Sequence, residues 1–209
     1  MVRRQRDPKV AAKRVAVSSF AMRDLGDKRL SRSFAGSLLV AHPNMLDSNF
    51  RRTVLFVSEH DPKEGALGVI INRPLDKPVA ELVSGMPPTA LADVPVFLGG
   101  PVGKNQLMFA AFEWQKGAGL KLNHDITLEE SSDAGGQKNL LTVCAFVGYA
   151  GWGVGQLETE VKQKAWLIQK ASPSLLKLDR LPNLWFDIMR TLGPWYKMLA
   201  AAPDDPSLN

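Results

Sequence analysis

The 209-residue sequence contains a single cysteine and no apolar segment near the roughly 20 residues that a membrane-spanning helix needs. Because Cys144 has no partner in the chain, a disulfide scaffold is excluded, and a reducing compartment, the cytoplasm, is predicted. Cys144 lies within an apolar segment, so we interpret it as a small buried residue with an inert thiol. Histidine is also scarce, and His42, His60 and His124 lie too far apart for a local metal-ligand motif. We interpret His42 and His60 as residues that satisfy neighbouring turns, so neither a metal nor a cofactor is predicted.

The rest of the composition is that of an ordinary globular protein. Hydrophobic residues make up 45% of the chain and charged residues 22%, with nine phenylalanines and five tryptophans available for a core. Such a chain can bury enough apolar surface to fold, which excludes disorder throughout. Its length corresponds to one domain, or to one domain with an appendage.

Positive charge is concentrated near the start of the chain. Residues 1–35 hold ten basic side chains against three aspartates, a net +7, whereas the other 174 residues carry 16 basic and 18 acidic groups. Such a segment can bind nucleic acid by releasing counterions. It offers only Phe20 and Phe34 for stacking on bases, so we interpret residues 1–33 as a solvated basic arm. A single domain is predicted at residues 34–209.

Hydrophobic periodicity changes along this domain. Short apolar runs between turn residues predict strands at 36–41, 53–58, 66–71, 96–98, 107–112 and 140–147, with 53–71 as a β-hairpin. Helical spacing and stop residues predict helices at 78–84, at 156–170, after a cap at Asn183, and at 195–201. Strands therefore dominate the first two thirds and helices the last third, which indicates an α+β fold.

A glycine-rich run at residues 148–155 lies between a predicted strand and a predicted helix, where a dinucleotide-binding motif would stand. The spacing fails because the third glycine is replaced by Gln156. In addition, Glu158 and Glu160 in the first turn of the helix would repel a phosphate there. We interpret the run as a tight structural loop.

The Asn72-Arg73-Pro74 segment ends a predicted strand and presents a guanidinium at a proline turn. An arginine in that position can grip a carboxylate or a phosphate in bidentate geometry. The alternative is an internal salt bridge to a carboxylate of the domain such as Glu59 or Glu158, and we favour that interpretation.

The sequence also carries a series of motifs in order. They stand at residues 36–43, 58–60, 65–75, 99–102, 148–152, 155–158 and 205–209. In these motifs the chain resembles the YqgE/AlgH family from about residue 34 to its end. The resemblance implies a bacterial, cytosolic protein with coiled, branching, mostly antiparallel β-sheets flanked by helices. It also implies a transcriptional-regulator label, without catalytic or DNA-contacting residues to carry over.

This chain departs from the resemblance in one strand. The family usually has a Leu-His pair after Gly-Gly-Pro-Val, where residues 109–112 of this chain are Phe-Ala-Ala-Phe. No acid–base histidine is therefore expected in that strand.

Three functions remain open on the sequence. We favour a non-catalytic regulatory or interaction protein that acts through a protein partner, because no nucleophile–base set is visible. The second is an enzyme or small-molecule binder with a cleft where the motif loops converge, and the third is nucleic-acid binding through residues 1–35. The candidate ligand or partner surface comprises Asn72, Arg73, Gly99, Gly100, Tyr149, Trp152, Gln156 and Glu158.

Overall fold

Most of the secondary-structure elements before residue 153 are strands, and most of those after it are short helices. The computed structural model describes residues 33–83, 89–124 and 140–202. The strands are β1 (Ser37–Ala41), β2 (Val54–Asp61), β3 (Gly65–Ile70), β4 (Pro74–Pro78), β5 (Pro95–Leu98), β6 (Val102–Gln115), β7 (Gly119–Asn123), β8 (Leu140–Trp152) and β9 (Trp166–Lys170). The α-helices are α1 (Val79–Leu82), α2 (Thr89–Ala92), α3 (Gln156–Lys162), α4 (Leu184–Thr191) and α5 (Pro194–Ala200). None of the helices in these described ranges is long and apolar enough to cross a membrane.

The strands form one branched sheet in the order β4-β5-β8-β3-β2-β1-β9. The branch point is β8, because its residues 145–147 pair with β5 and also with β6, whereas residues 150–152 pair with β3. A further strand, β7, pairs with β6. Only the β5–β8 pairing is parallel among the described pairs. The predicted α+β fold with mostly antiparallel strands is confirmed.

The central strands of the sheet are buried on both faces, and the side chains of β1 show how. Leu38 and Val40 enter a core that is covered by the C-terminal helical segment, including Trp185. Leu39 enters a second core on the opposite face, under α3. Because successive side chains of a strand point to opposite faces, an apolar run without polar alternation is typical of such a strand. A third, smaller cluster lies between α1 and the β5–β8 pair.

Several predicted elements are confirmed. The hairpin at 53–71 is formed by β2 and β3, and the strands predicted at 36–41 and 96–98 are β1 and β5. The last two predicted helices are α4 and α5. The predicted cap at Asn183 is wrong: its side chain makes no capping hydrogen bond, since the preceding 3-10 turn holds it at φ −97° and ψ 1° rather than in the extended region that a cap needs.

Two other predictions are wrong. Residues 148–152 continue β8 and pair with β3 and β6, so they are strand rather than loop. The helix predicted at 156–170 ends at Lys162, because Lys164 takes a left-handed conformation with φ 61°. Residues after it form β9, which pairs with β1. The basic arm lies outside the described residues apart from Ser33.

Candidate functional site

Asn72 is a buried bridge between β3 and the start of β2. Its Oδ1 accepts a hydrogen bond of 2.8 Å from the Val54 amide, and its Nδ2 donates one of 2.9 Å to the Arg52 carbonyl. The residue is only 8% exposed. Both ends of the side-chain amide are therefore used to hold two backbone segments together, as buried polar groups require.

Arg73 also binds backbone groups rather than a carboxylate. Its guanidinium donates hydrogen bonds of 2.9–3.1 Å to the carbonyls of Ser48, Asn49 and Arg51. The predicted salt bridge to Glu59 or Glu158 is wrong, because the guanidinium is turned towards residues 48–51. It fixes the loop that leads into β2.

Gly99 and Gly100 lie where two backbone segments pass close to each other. A Cβ atom on Gly99 would collide with the Gly148 carbonyl, and one on Gly100 would collide with the backbone of Tyr149. The Gly99 amide donates a hydrogen bond to the Val147 carbonyl, and the Ile70 amide donates one to the Gly99 carbonyl. Each donor–acceptor distance is 2.8 Å. These two glycines allow β5 and β3 to meet β8 at the branch point.

The eight predicted site residues divide into two groups along β3. Asn72, Arg73, Gly99, Gly100 and Tyr149 lie around the branch point, beside the end of β3 at Ile70. The second group lies at the start of β3. It comprises Trp152, Gln156 and Glu158, and Trp152 pairs with Ala66. The two positions, Ala66 and Ile70, are four residues apart along β3, a distance of about 13 Å. That the eight residues form a surface for a ligand or partner stays a prediction.

His60 connects this second group to β2 and to the start of the domain. Its Nε2 lies 3.0 Å from Oε1 of Glu158, and its Nδ1 accepts a hydrogen bond of 3.1 Å from the Phe34 amide. Since Nδ1 is the acceptor, Nε2 carries the hydrogen, and this N–H group donates a hydrogen bond to the Glu158 carboxylate. The His60 side chain is 1% exposed. The Phe34 ring packs on it with the ring centroids 4.9 Å apart.

Glu160 is the second carboxylate that α3 directs into the group. Its Oε2 accepts hydrogen bonds from the indole nitrogens of Trp152 and Trp166, over 2.9 and 2.8 Å. Its Oε1 accepts one of 2.9 Å from Nε2 of Gln156. We call His60, Glu158, Glu160, Trp152 and Trp166 the α3 clamp, since they join α3 to three strands.

Sequence reasoning missed most of the α3 clamp. It treated Glu160 only as a helix-start charge, His60 as a turn residue and Trp166 as helical. His60 and Glu158 are 98 positions apart, and no local pattern couples residues at such a distance. The only available indication was the pair of glutamates, Glu158 and Glu160, that follows the apolar Leu157.

The polar side chains of this region bind one another and the backbone. Both ring nitrogens of His60 and both carboxylate oxygens of Glu160 already have hydrogen-bond partners. Burial raises the pKa of Cys144 to about 12, so its thiol is a poor nucleophile, as the sequence predicted. Within the described residues, no three histidine, cysteine or acidic side chains are grouped to hold a metal ion.

Comparison with known proteins identifies the family of this chain. A family model described as AlgH-like matches residues 38–197, from β1 into α5. The chain belongs to the AlgH-like family. Among its relatives, a UPF0301 protein of Chlorobium luteolum is 34% identical over 194 residues, covering 87% of this chain and 96% of the relative. A UPF0301 protein of Streptomyces coelicolor is 34% identical over 191 residues, covering 85% of this chain and 96% of the relative.

Solved structures agree with the AlgH-like fold. The solution structure of the AlgH protein from Pseudomonas aeruginosa matches with a TM-score of 0.59 at 27% identity, covering 87% of this chain and 98% of that one. A crystal structure of a Corynebacterium diphtheriae protein has a TM-score of 0.61 at 20% identity, covering 84% and 95% of the two chains. The second likeness concerns the fold alone.

Proposed function

We propose that this AlgH-like protein is a non-catalytic cytoplasmic protein with a regulatory role, which acts by binding a protein partner. The observation that carries the proposal is an exposed apolar face on α5. Trp195 is 61% exposed and Met198 is 56% exposed. They are three positions apart, so they share one side of the helix. Tryptophan and methionine are among the residues enriched in protein interfaces, which supports a protein as the ligand.

The opposite side of α5 is anchored to the domain. The Tyr196 ring packs edge-on against His42 with a centroid distance of 6.1 Å, and Ala200 is buried in the core. Just beyond the helix, Arg52 donates a hydrogen bond to the carbonyl of Ala202. A helix held in this way presents its apolar residues in a fixed orientation, which lowers the entropic cost of binding.

The hydrogen bonds within the α3 clamp also support a non-catalytic function. General acid–base catalysis needs a side chain that can exchange a proton with a substrate. His60 instead uses one nitrogen on Glu158 and the other on the Phe34 amide. The α3 clamp therefore stabilises the fold, and we assign the interaction to surface residues outside it.

A photo-crosslinking experiment tests the proposal. A benzophenone amino acid replaces Trp195 in the full chain, expressed in cells of the source organism. We expect a discrete protein adduct after irradiation, and we expect it to be lost when Met198→Lys is added, because a charge would be buried in the interface.

The matched control places the same photoreactive residue at Val154, which is 66% exposed in the loop before α3. An adduct of the same mass from both positions, or none from position 195, would count against the proposal. The unfolding midpoint of Met198→Lys should equal that of the parent protein, which separates lost binding from lost folding.

A further inference from the structure

The strand β9 forms one edge of the sheet. It pairs with β1 on one side, and no other strand within residues 33–83, 89–124 and 140–202 pairs with it. An edge strand presents its outward N–H and C=O groups to any extended chain that can reach them.

The hydrogen-bond register identifies the outward groups. The His42 amide donates to the Ala165 carbonyl over 2.9 Å, which makes these two residues a hydrogen-bonded pair. In an antiparallel ladder such pairs alternate with non-bonded ones. Leu167 and Gln169 therefore bond to β1, whereas the backbone groups of Ile168 and Lys170 point away from it.

This outward edge is accessible and extended. Ile168 is 43% exposed, and Lys170 is also exposed. Beyond β9, Ser172 begins a 3-10 turn, and its carbonyl accepts a hydrogen bond of 3.0 Å from the Leu175 amide. The outward groups that can receive an added strand are therefore those of Ile168 and Lys170, within β9 itself.

The charge of the edge selects its occupant. The segment 161–178 contains lysines at 162, 164, 170 and 177 and has no acidic residue. A second copy of this chain would bring the same lysines together, and edge lysines are a known obstacle to such self-pairing. An acidic strand would instead place opposite charges across the ladder, which stabilises cross-strand pairs.

We propose that the outer edge of β9 binds an extended acidic segment of a partner protein by strand addition. Ile168 contacts an apolar side chain of that segment, and Lys170 contacts a carboxylate. Main-chain hydrogen bonds supply affinity and the two side chains supply selectivity, the usual division in this binding mode. The inference rests on the proposed function, because it requires a protein partner, and it adds a second surface to the one on α5.

The test uses the 15N-labelled full chain and the capped heptapeptide Thr-Val-Thr-Glu-Thr-Val-Thr. Its sequence is the same in both directions, so it fits a parallel or an antiparallel addition. In the free protein, we expect the amides of Ile168 and Lys170 to exchange with solvent faster than those of Leu167 and Gln169. Saturating peptide should slow the exchange of the Ile168 and Lys170 amides and leave the other two unchanged.

Two variants provide controls. Lys170→Glu should weaken binding of this peptide by about two- to fivefold, and should favour a peptide with lysine in place of glutamate by a similar factor. Ile168→Pro removes an outward amide but no bond to β1, so it should abolish binding and leave the unfolding midpoint near that of Ile168→Val.

Two results would overturn the inference. One is that the peptide leaves the exchange of the Ile168 and Lys170 amides unchanged. The other is that both amides become protected without peptide as protein concentration rises, which would identify a second copy as the occupant. Neither result affects the crosslinking at position 195, so a failure at β9 and a failure of the proposed function are distinguishable.

Discussion

His60 is the residue whose role depends most on its surroundings. A histidine beside Asp61 could satisfy a turn, yet its ring is nearly inaccessible and joins Phe34 to Glu158. Removing the ring leaves an amide donor and a carboxylate without their partner, in addition to a cavity. Such losses are among the larger effects that a single substitution can have on stability.

We expect His60→Ala to lower the free energy of unfolding by about 2 kcal/mol, which urea denaturation followed by circular dichroism would measure. Glu158→Gln keeps an acceptor for the His60 Nε2–H and should cost about half as much or less. If His60→Ala unfolded at the parent midpoint, the α3 clamp would not be a stabilising feature.

A second histidine, His42, links stability to pH. Burial and the nearby Lys164 ammonium lower the pKa of His42 from 6.5, because both disfavour the imidazolium. Its Nδ1 also accepts a hydrogen bond of 3.2 Å from the Asn44 amide, which only an unprotonated nitrogen can do. The stability that the neutral ring contributes is therefore complete above pH 6.5 and is lost as the pH falls through the lowered pKa.

We expect Lys164→Gln to raise the pKa of His42 towards 6.5 by removing the repulsion, as measured by NMR titration of the ring. Lys170→Gln is the matched control and should leave the pKa of His42 unchanged. An equal response of His42 to both substitutions would show that the effect of Lys164 is not local.

At the scale of elements, the close crossing of strands at Gly99 and Gly100 controls the branch of the sheet. The sequence marked both glycines as a candidate surface, and their common feature in the structure is the lack of room for a Cβ. The obstacles are backbone atoms, which cannot move aside as a flexible side chain does. A substitution here changes the pairing of β5, β3 and β8 together.

We expect Gly100→Ala to destabilise the protein by about 3 kcal/mol or more, since the added methyl group forces backbone atoms apart. Gly153→Ala is the control, because a Cβ there meets its nearest neighbour only at 3.8 Å. Thermal unfolding of the two variants checks the difference. Equal midpoints would mean that the strands tolerate the added group by shifting.

The segment after α3 shows how an element can be misjudged. Leu157, Val161 and Ile168 recur at helical spacing, which predicted one long helix. Lys164 ends that helix, and residues 166–170 pair with β1 instead. Trp166 and Leu167 then enter opposite cores, a two-residue alternation that a helical spacing rule does not detect.

For the molecule as a whole, charge and fold are separate properties. The basic arm carries the net positive charge, whereas the cores lie between residues 38 and 200. Ten cations can attract nucleic acid by counterion release, but this segment has few aromatic residues that could stack on bases.

We expect the full chain to bind a fluorescent single-stranded oligonucleotide at low salt and to lose that binding near physiological salt. A chain that begins at Ser33 should not bind at either salt concentration and should unfold at the same midpoint as the full chain. Binding that survives both higher salt and removal of the arm would identify a nucleic-acid site on the domain.

Much of this protein follows from its sequence because the relevant information is local. Apolar runs between turn residues identified β1, β5 and the β2–β3 hairpin. The apolar neighbours of Cys144 predicted a buried thiol of low reactivity. Ordered motifs identified the family. These inferences depend on a few neighbouring residues, whose propensity and periodicity favour an element where tertiary pairing does not override them.

Only the tertiary structure decided the branch at β8, the edge at β9 and the α3 clamp. Each depends on partners far apart in the chain, such as Trp185, whose indole nitrogen donates to the Ala41 carbonyl 144 positions away. The partners of Arg73 could not be predicted from the sequence either. Its guanidinium donates to three backbone carbonyls, whose positions depend on the fold and not on a side-chain pattern. Propensity acts between neighbours in the chain, whereas burial and hydrogen bonding act between neighbours in space.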